Sequence, residues 1–288
     1  MPQVVLTIGG SDSGGGAGIQ ADIKTFSVLG LHGTSAITAI TAQNTLGVQN
    51  VFGLGPEVVE AQLKSITDDF CVAFAKTGML YSAKTVIVVA KHLHENNIPF
   101  VLDPVIEAEA GGRLLRPEAI LALKKRLIPL ARVVTPNIFE AEALTGIHVS
   151  DIDSADAAAR EILKMGAEAV IVKGGHMDCT DLLRTAEEMF RLPGRRMTGG
   201  NHGVGCTYSA ALTSFLAKGC SLPEAAIKAK RAAAVAISHS MKVGKGVGPV
   251  NQVAFLREDA KRSLRLCPRK VLLGMGRYKL VARLIHGG

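Results

Sequence analysis

Short runs rich in β-branched residues alternate along most of this chain with stretches of about 10 to 15 residues carrying apolar side chains at helical spacing. The strand-type runs are "VVLTI", "TSAITAITAQ", "VQNVFGLG", "VAFAKTG", "PFVLDPV", "ARVVTPN" and "AEAVIVKGG". Between them lie helical patterns such as "IQADIKTFSVLG", "PEVVEAQLKSITDDF", "SAKTVIVVAKHLHEN", "RPEAILALKKRLIPL", "FEAEALTG" and "SADAAAREILKMG", with two final helices starting near Cys206 and Pro223. Such a rhythm fits βαβ units around a mostly parallel sheet. It predicts one α/β domain over residues 1–256. No internal repeat or linker interrupts it. In such sheets ligands sit at the carboxyl ends of strands, so the loops beginning at Gly9, Gly78, Asp103, Pro136, Gly174 and Gly203 are the ones to watch.

Charge is unevenly placed. The 288 residues carry a formal net charge of +8, but nine Lys/Arg and two Asp/Glu lie in residues 257–288, leaving the body near neutral. A near-neutral body with no tryptophan and few aromatics argues against nucleic acid as a partner. The basic tail reads as a solvated extension of unknown role. Five scattered cysteines without a C-x-x-C pair suit neither a disulfide framework nor a zinc ribbon. His92, His94 and Glu95 do not share a helix face, and His176, Asp178 and Cys179 lack a second ligand cluster, so zinc is not expected. The N-terminal apolar run is too short for a signal peptide, and no run of 18 apolar residues spans a membrane. The expectation is a cytoplasmic protein.

Gly16-Ala17-Gly18-Ile19-Gln20-Ala21 matches G-x-G-x-x-A after a strand, but no Asp or Glu occurs between Asp22 and Glu57 to hold a ribose. A dinucleotide site is therefore disfavoured, and no P-loop occurs. The five glycines from Gly9 to Gly16 suit close backbone approach to a ligand. Around "NHGVGC", the amides of Val204, Gly205 and Cys206 fall in the first turn of a helix, a ready anion site. The same field predicts a Cys206 thiol more acidic than usual; a small buried residue opening a packed helix is the equally weighted alternative. Asp103 ends a buried-type run before Pro104 and is placed to hold Mg²⁺ or its waters. Asn137 and Glu140 share a face at i, i+3, either as ligand groups or as N-cap and dipole partner. Lys173 follows "AVIV" and precedes two glycines, which suits either a phosphate-directed ammonium or a snorkelling surface lysine. Met79 by default packs at the core or rim.

The motifs "GGSDSGGGAGIQADIKTF", "TAITAQNTLGV", "KTGML", "LDPV", "TPNIFEAE", "VKGGH", "GVGC" and "GKGVGPVN" occur in this order over roughly residues 3–252. On them the chain resembles the hydroxymethylpyrimidine/phosphomethylpyrimidine kinases of thiamin biosynthesis, within the ribokinase-like superfamily. The resemblance implies a ribokinase-like three-layer αβα sandwich with a mostly parallel central sheet. It also implies phosphorylation of a pyrimidine alcohol by ATP and Mg²⁺, and then of the monophosphate to the diphosphate. Gly10, Asp22, Gln43, Met79 and Val105 would line the pyrimidine pocket. Asp103 and Glu140 would organise Mg²⁺ and phosphates, with Asn137 and Lys173 on the nucleotide side. Gly203, Val204, Gly205 and Cys206 would form the anion hole, Cys206 facing the reacting hydroxyl; Cys206→Ala is then expected to lower kcat severely.

Two departures stand out. Val204 occupies a position where the family usually has Thr, keeping the amide and losing a hydroxyl. "IEAEAGGRLL" replaces the commoner Ala-Lys-Ser-Gly pattern after "DPV". Two other readings stay open: a pyridoxal or pyridoxine kinase, which stops at a monophosphate, and a catalytically idle pyrimidine sensor. A homodimer is also left open.

Overall fold

The computed structural model describes residues 3–106, 115–175 and 178–256. The basic tail, His176 and most of "IEAEAGGRLL" lie outside them.

A single nine-stranded sheet runs through the chain. In chain order its strands are β1 (Val4–Asp12), β2 (His32–Asn44), β3 (Gly47–Gly53), β4 (Val72–Thr77), β5 (Phe100–Leu102), β6 (Val133–Val134), β7 (Ala169–Val172), β8 (Asp181–Thr185) and β9 (Met189–Leu192). The spatial order is β3-β2-β1-β4-β5-β6-β7-β8-β9. From β2 to β7 every pairing is parallel, and antiparallel hairpins finish both edges.

Successive side chains of a strand point to opposite faces, and strands buried on both faces read as continuous apolar runs. The central strands therefore feed two cores. Leu6, Ile8, Phe100, Leu102, Val134, Val170 and Val172 enter one; Val5, Val101, Val133, Ala169 and Ile171 enter the other. The first core is covered by α2 (Pro56–Thr67), α3 (Ala83–Glu95), α4 (Pro117–Ala122), α5 (Ile138–Thr145) and α6 (Ile152–Lys164). The second is covered by α1 (Gly18–Val28), α7 (Val204–Ala217) and α8 (Leu222–Ser238). This is the three-layer αβα sandwich.

Local signals explain most helix ends. Pro56 starts α2, the Ser82 side chain caps α3, and left-handed Gly146 ends α5. "RPEAILALKKRLIPL" is not one α-helix: after α4 the chain passes through a π-helical turn, Leu123–Leu127, and a 3₁₀ turn, Ile128–Leu130. Pro129 is the cause, since its ring excludes the i−4 carbonyl and removes a donor. The glycine-rich segment also differs from expectation. Gly9, Gly10, Ser11 and Asp12 continue β1 and pair with β2, so the loop proper is shorter. The β8–β9 hairpin falls in a region where the sequence reading placed no element.

Candidate active site

The carboxyl ends of β1, β4, β5, β6 and β7 converge on the N-terminus of α7. Gly203 caps that helix in a left-handed conformation, φ +84°. A Cβ there would overlap the Gly16 carbonyl oxygen, so both conformation and space demand glycine. The Val204 amide donates to the Asn201 carbonyl at 3.0 Å. This narrows the expected trio of amides: Gly205 and Cys206 supply the first-turn donors without a protein acceptor among the described residues. The Val204 side chain packs against the second core.

Beside this turn lies a charged cluster. Lys173 Nζ donates to Asp103 Oδ1 at 2.8 Å and stands 3.9 Å from Glu140 Oε2. Ser209 on α7 donates to Asp103 Oδ2 at 3.0 Å, and Thr135 donates to Oδ1 at 3.3 Å. Asp103 is buried at the end of β5, held by groups from three other elements. Burial by itself would lower the Lys173 pKa; the Asp103 and Glu140 carboxylates overcome it and hold the ammonium charged. Asn137 and Glu140 form a capping box on α5, each side chain accepting the other's amide at 2.8 Å. The structural reading of this pair therefore holds, and Glu140 meets Lys173 as well.

On the opposite side, Gly10 and Met79 touch: a Cβ on Gly10 would come 2.9 Å from the Met79 sulfur. Val105 is half-buried in the turn after Asp103, its amide 2.9 Å from the Asp103 carbonyl. Gln43 is half-buried at the end of β2, its side-chain amide 3.5 Å from His202 Nε2. Asp22 sits deeper than the sequence reading placed it. It is 1% exposed, with both oxygens on Lys76 Nζ (3.0 and 2.8 Å) and one also on the Thr7 hydroxyl at 2.6 Å. Both oxygens of this carboxylate are thus committed to partners within the fold. Burial pushes the Asp22 carboxyl up, while the Asp22 charge keeps Lys76 protonated against its own burial.

The thiol departs from expectation. Burial pushes Cys206 up to about 12, with Asp22 and Asp103 adding to it; Lys76 and the Gly18 amide favour the thiolate but do not prevail. Cys206 is a neutral thiol at pH 7. Desolvation outweighs the helix N-terminus here.

Several groups at the site escaped the sequence reading. Lys76 is one, although a lysine inside the strand run "VAFAKT" was a signal. Ser209 and Thr135 are others. Asp12 accepts from the amides of Gly14 (2.8 Å), Gly16 (3.0 Å) and Ala17 (2.8 Å), and His202 Nε2 lies 2.8 Å from its Oδ2. Burial disfavours the Asp12 carboxylate, but His202 and these amides hold its pKa below the ordinary value.

Among the described residues no cluster of three His, Cys, Asp or Glu forms a cage for a metal. Asp103 and Glu140 flanking Lys173 suit a Mg²⁺ that arrives on phosphate oxygens and keeps its waters, the usual habit of this hard cation. No described helix is long and apolar enough to cross a membrane.

A family profile described as phosphomethylpyrimidine kinase matches residues 12–251. The chain is 49% identical over 264 residues to the hydroxymethylpyrimidine/phosphomethylpyrimidine kinase of Haemophilus influenzae, covering 88% of this chain and 97% of that one. Among solved structures, an ADP complex of Bacillus subtilis pyridoxal kinase superposes with a TM-score of 0.81 at 38% identity, covering 88% and 99% of the two chains. A phosphomethylpyrimidine kinase from Clostridium difficile superposes with a TM-score of 0.71 at 41% identity, covering 80% and 96%.

Proposed function

The chain belongs to the phosphomethylpyrimidine kinase family and is a phosphotransferase, and from that premise we propose how its residues divide the work. The reaction is ATP-dependent phosphorylation of 4-amino-5-hydroxymethyl-2-methylpyrimidine, then of its monophosphate to the diphosphate, in thiamin biosynthesis. The observation that carries this reading is the turn at Gly203, Val204, Gly205 and Cys206 facing the Asp103–Lys173–Glu140 cluster. One supplies amide donors, the other a buried ammonium fixed by two carboxylates.

Phosphoryl transfer asks mainly for alignment and charge stabilisation. The Gly205 and Cys206 amides, at the positive end of α7, donate to the transferring phosphoryl oxygens. Lys173 and Asn137 face the nucleotide phosphates. Mg²⁺ entering with ATP would be held through Asp103 and Glu140 and would offset phosphate charge. Gly10, Gln43, Met79 and Val105 line the pyrimidine pocket, with Asp22 beneath it. Met79 offers an apolar surface to the ring, Gln43 a hydrogen-bonding edge.

Because Cys206 is a neutral thiol, it orients the reacting hydroxyl and does not act as a standing base. A loose transition state tolerates this, since the hydroxyl proton is lost late. Residues 1–256 form the kinase domain in this reading, and residues 257–288 an extension outside it. The enzyme works in the cytoplasm, where ATP is supplied. A homodimer is the assembly to look for by light scattering.

Purified protein given ATP, Mg²⁺ and hydroxymethylpyrimidine should yield mono- and then diphosphate. A pyridoxal kinase of the same fold would stop at a monophosphate. Turnover of pyridoxal with none of the pyrimidine would overturn the assignment.

A further inference from the structure

Two glycine-bearing segments meet at the site although about 190 positions separate them in the chain. One is the loop 12–18, between β1 and α1; the other is 201–206, which opens α7. They interlock sterically: a Cβ on Gly16 would overlap the His202 ring, and one on Gly203 the Gly16 carbonyl. The polar link between them is the pair Asp12–His202, whose two side chains are only 3% and 14% exposed. Facing a carboxylate, His202 Nε2 carries a proton and donates it.

Asp12 also organises the loop that leads into α1. The N-cap residue of that helix is Ala17, which has no capping side chain. The amides of Gly14, Gly16 and Ala17 all turn to the Asp12 carboxylate. The next residue, Gly18, opens α1 with φ +58° and directs its amide at the Cys206 sulfur. His202 in turn is anchored from behind, its carbonyl accepting the Val250 amide at 3.1 Å.

The geometry points to His202 as a positioning residue for phosphoryl transfer, acting through Asp12 to hold the pyrimidine-side loop in register with the anion hole. This rests on the proposed kinase reading. The pocket side (Gly10, Gln43) is tied to loop 12–18, through β1 and through the Ser13 hydroxyl's bond to the Gln43 carbonyl at 2.7 Å. The phosphate side is the first turn of α7. The hydrogen bond from His202 to Asp12 sets the distance between them, and thus the line of attack. His202 touches neither reacting atom. Its loss should therefore appear in kcat far more than in either KM, because the groups lining each half-site stay in place and Gln43 gives up only a 3.5 Å contact to Nε2. A displacement of about 1 Å between reacting groups costs on the order of 100-fold.

The test compares His202→Leu, which removes the donor, with His202→Gln, whose amide nitrogen can take the place of Nε2. His202→Leu should lower kcat by roughly 30- to 100-fold with both KM values within about threefold, and His202→Gln should recover most of the loss. Equal activity of the two variants, or a loss confined to KM, would overturn the proposal. A second readout does not need turnover: alkylation of Cys206 by iodoacetamide, followed by peptide mass spectrometry on ligand-free protein. A loosened latch should speed labelling several-fold in His202→Leu and not in His202→Gln. If wild-type protein fails to phosphorylate the pyrimidine, the kinase reading falls, and the labelling ratio alone decides the latch. Equal labelling in all three proteins sinks it.

Discussion

Cys206 offers the sharpest prediction, because the helix N-terminus and burial pull its thiol in opposite directions. At pH 7.5 a thiol of ordinary value 9.0 is about 3% thiolate, whereas one pushed up to about 12 is roughly a thousandfold less ionised. If Cys206 worked as a thiolate base, kcat would climb about tenfold per pH unit from 7.5 to 9. The neutral-thiol reading expects kcat to stay within about threefold over that window. It also expects Cys206→Ser, which keeps a neutral donor and acceptor, to retain activity within about tenfold of wild type, with Cys206→Ala well below it. The assay is steady-state turnover at saturating pyrimidine and ATP across the window, repeated for both variants. Iodoacetamide labelling supplies a check, with exposed Cys71 as the internal comparator: Cys206 should label orders of magnitude more slowly at pH 7.5. A steep rise of kcat with pH, together with Cys206→Ser as poor as Cys206→Ala, would refute the reading of Cys206 as a neutral positioning group, and rapid labelling of Cys206 at pH 7.5 would refute the argument that desolvation dominates.

Three further perturbations have definite outcomes. Lys76→Met strands Asp22 as a buried charge and should destabilise the fold by about 3–5 kcal/mol in urea unfolding, with Asp22→Asn added on top recovering part of it. Gly203→Ala forces a side chain into the left-handed region against the Gly16 carbonyl; it should cost at least about 1 kcal/mol and cut turnover on the order of 100-fold. Lys173→Met leaves Asp103 and Glu140 without their shared cation, and kcat should fall by about 100- to 1,000-fold while the chain still unfolds cooperatively.

The alternation of strand and helix was legible in the sequence because both periods are local. So were the positions of Asp103, Lys173 and Cys206, each at the end of a strand or the start of a helix. What stayed hidden depends on distant residues. Lys76 could be seen as a lysine inside an apolar run, but its partner Asp22 lies 54 positions away and on another element. Asp12 and His202 are 190 apart. The acidity of Cys206 was hidden for a related reason: a helix N-terminus is visible in sequence, whereas the burial that overrides it, and the Asp22 and Asp103 charges that add to it, come from the folded chain. The β8–β9 hairpin escaped because "DLLRTAEEMFRL" carries nearly as many charged as apolar residues, and only its pairing along β7 gives it a buried face.

The second core has a bearing on how the protein is made. It packs Val5 and Phe26 from the start of the chain against Tyr208, Leu212 and Phe215 of α7. During synthesis the first strand and helix leave the ribosome long before α7 does, and one apolar face of β1, β4 and β5 must wait for it. Contacts so far apart in sequence form slowly and leave sticky surface in the interval. A nascent chain stalled before residue 204 would hold all nine strands of the described sheet, no anion hole and an uncovered apolar layer, so it should depend on a chaperone where the finished protein does not.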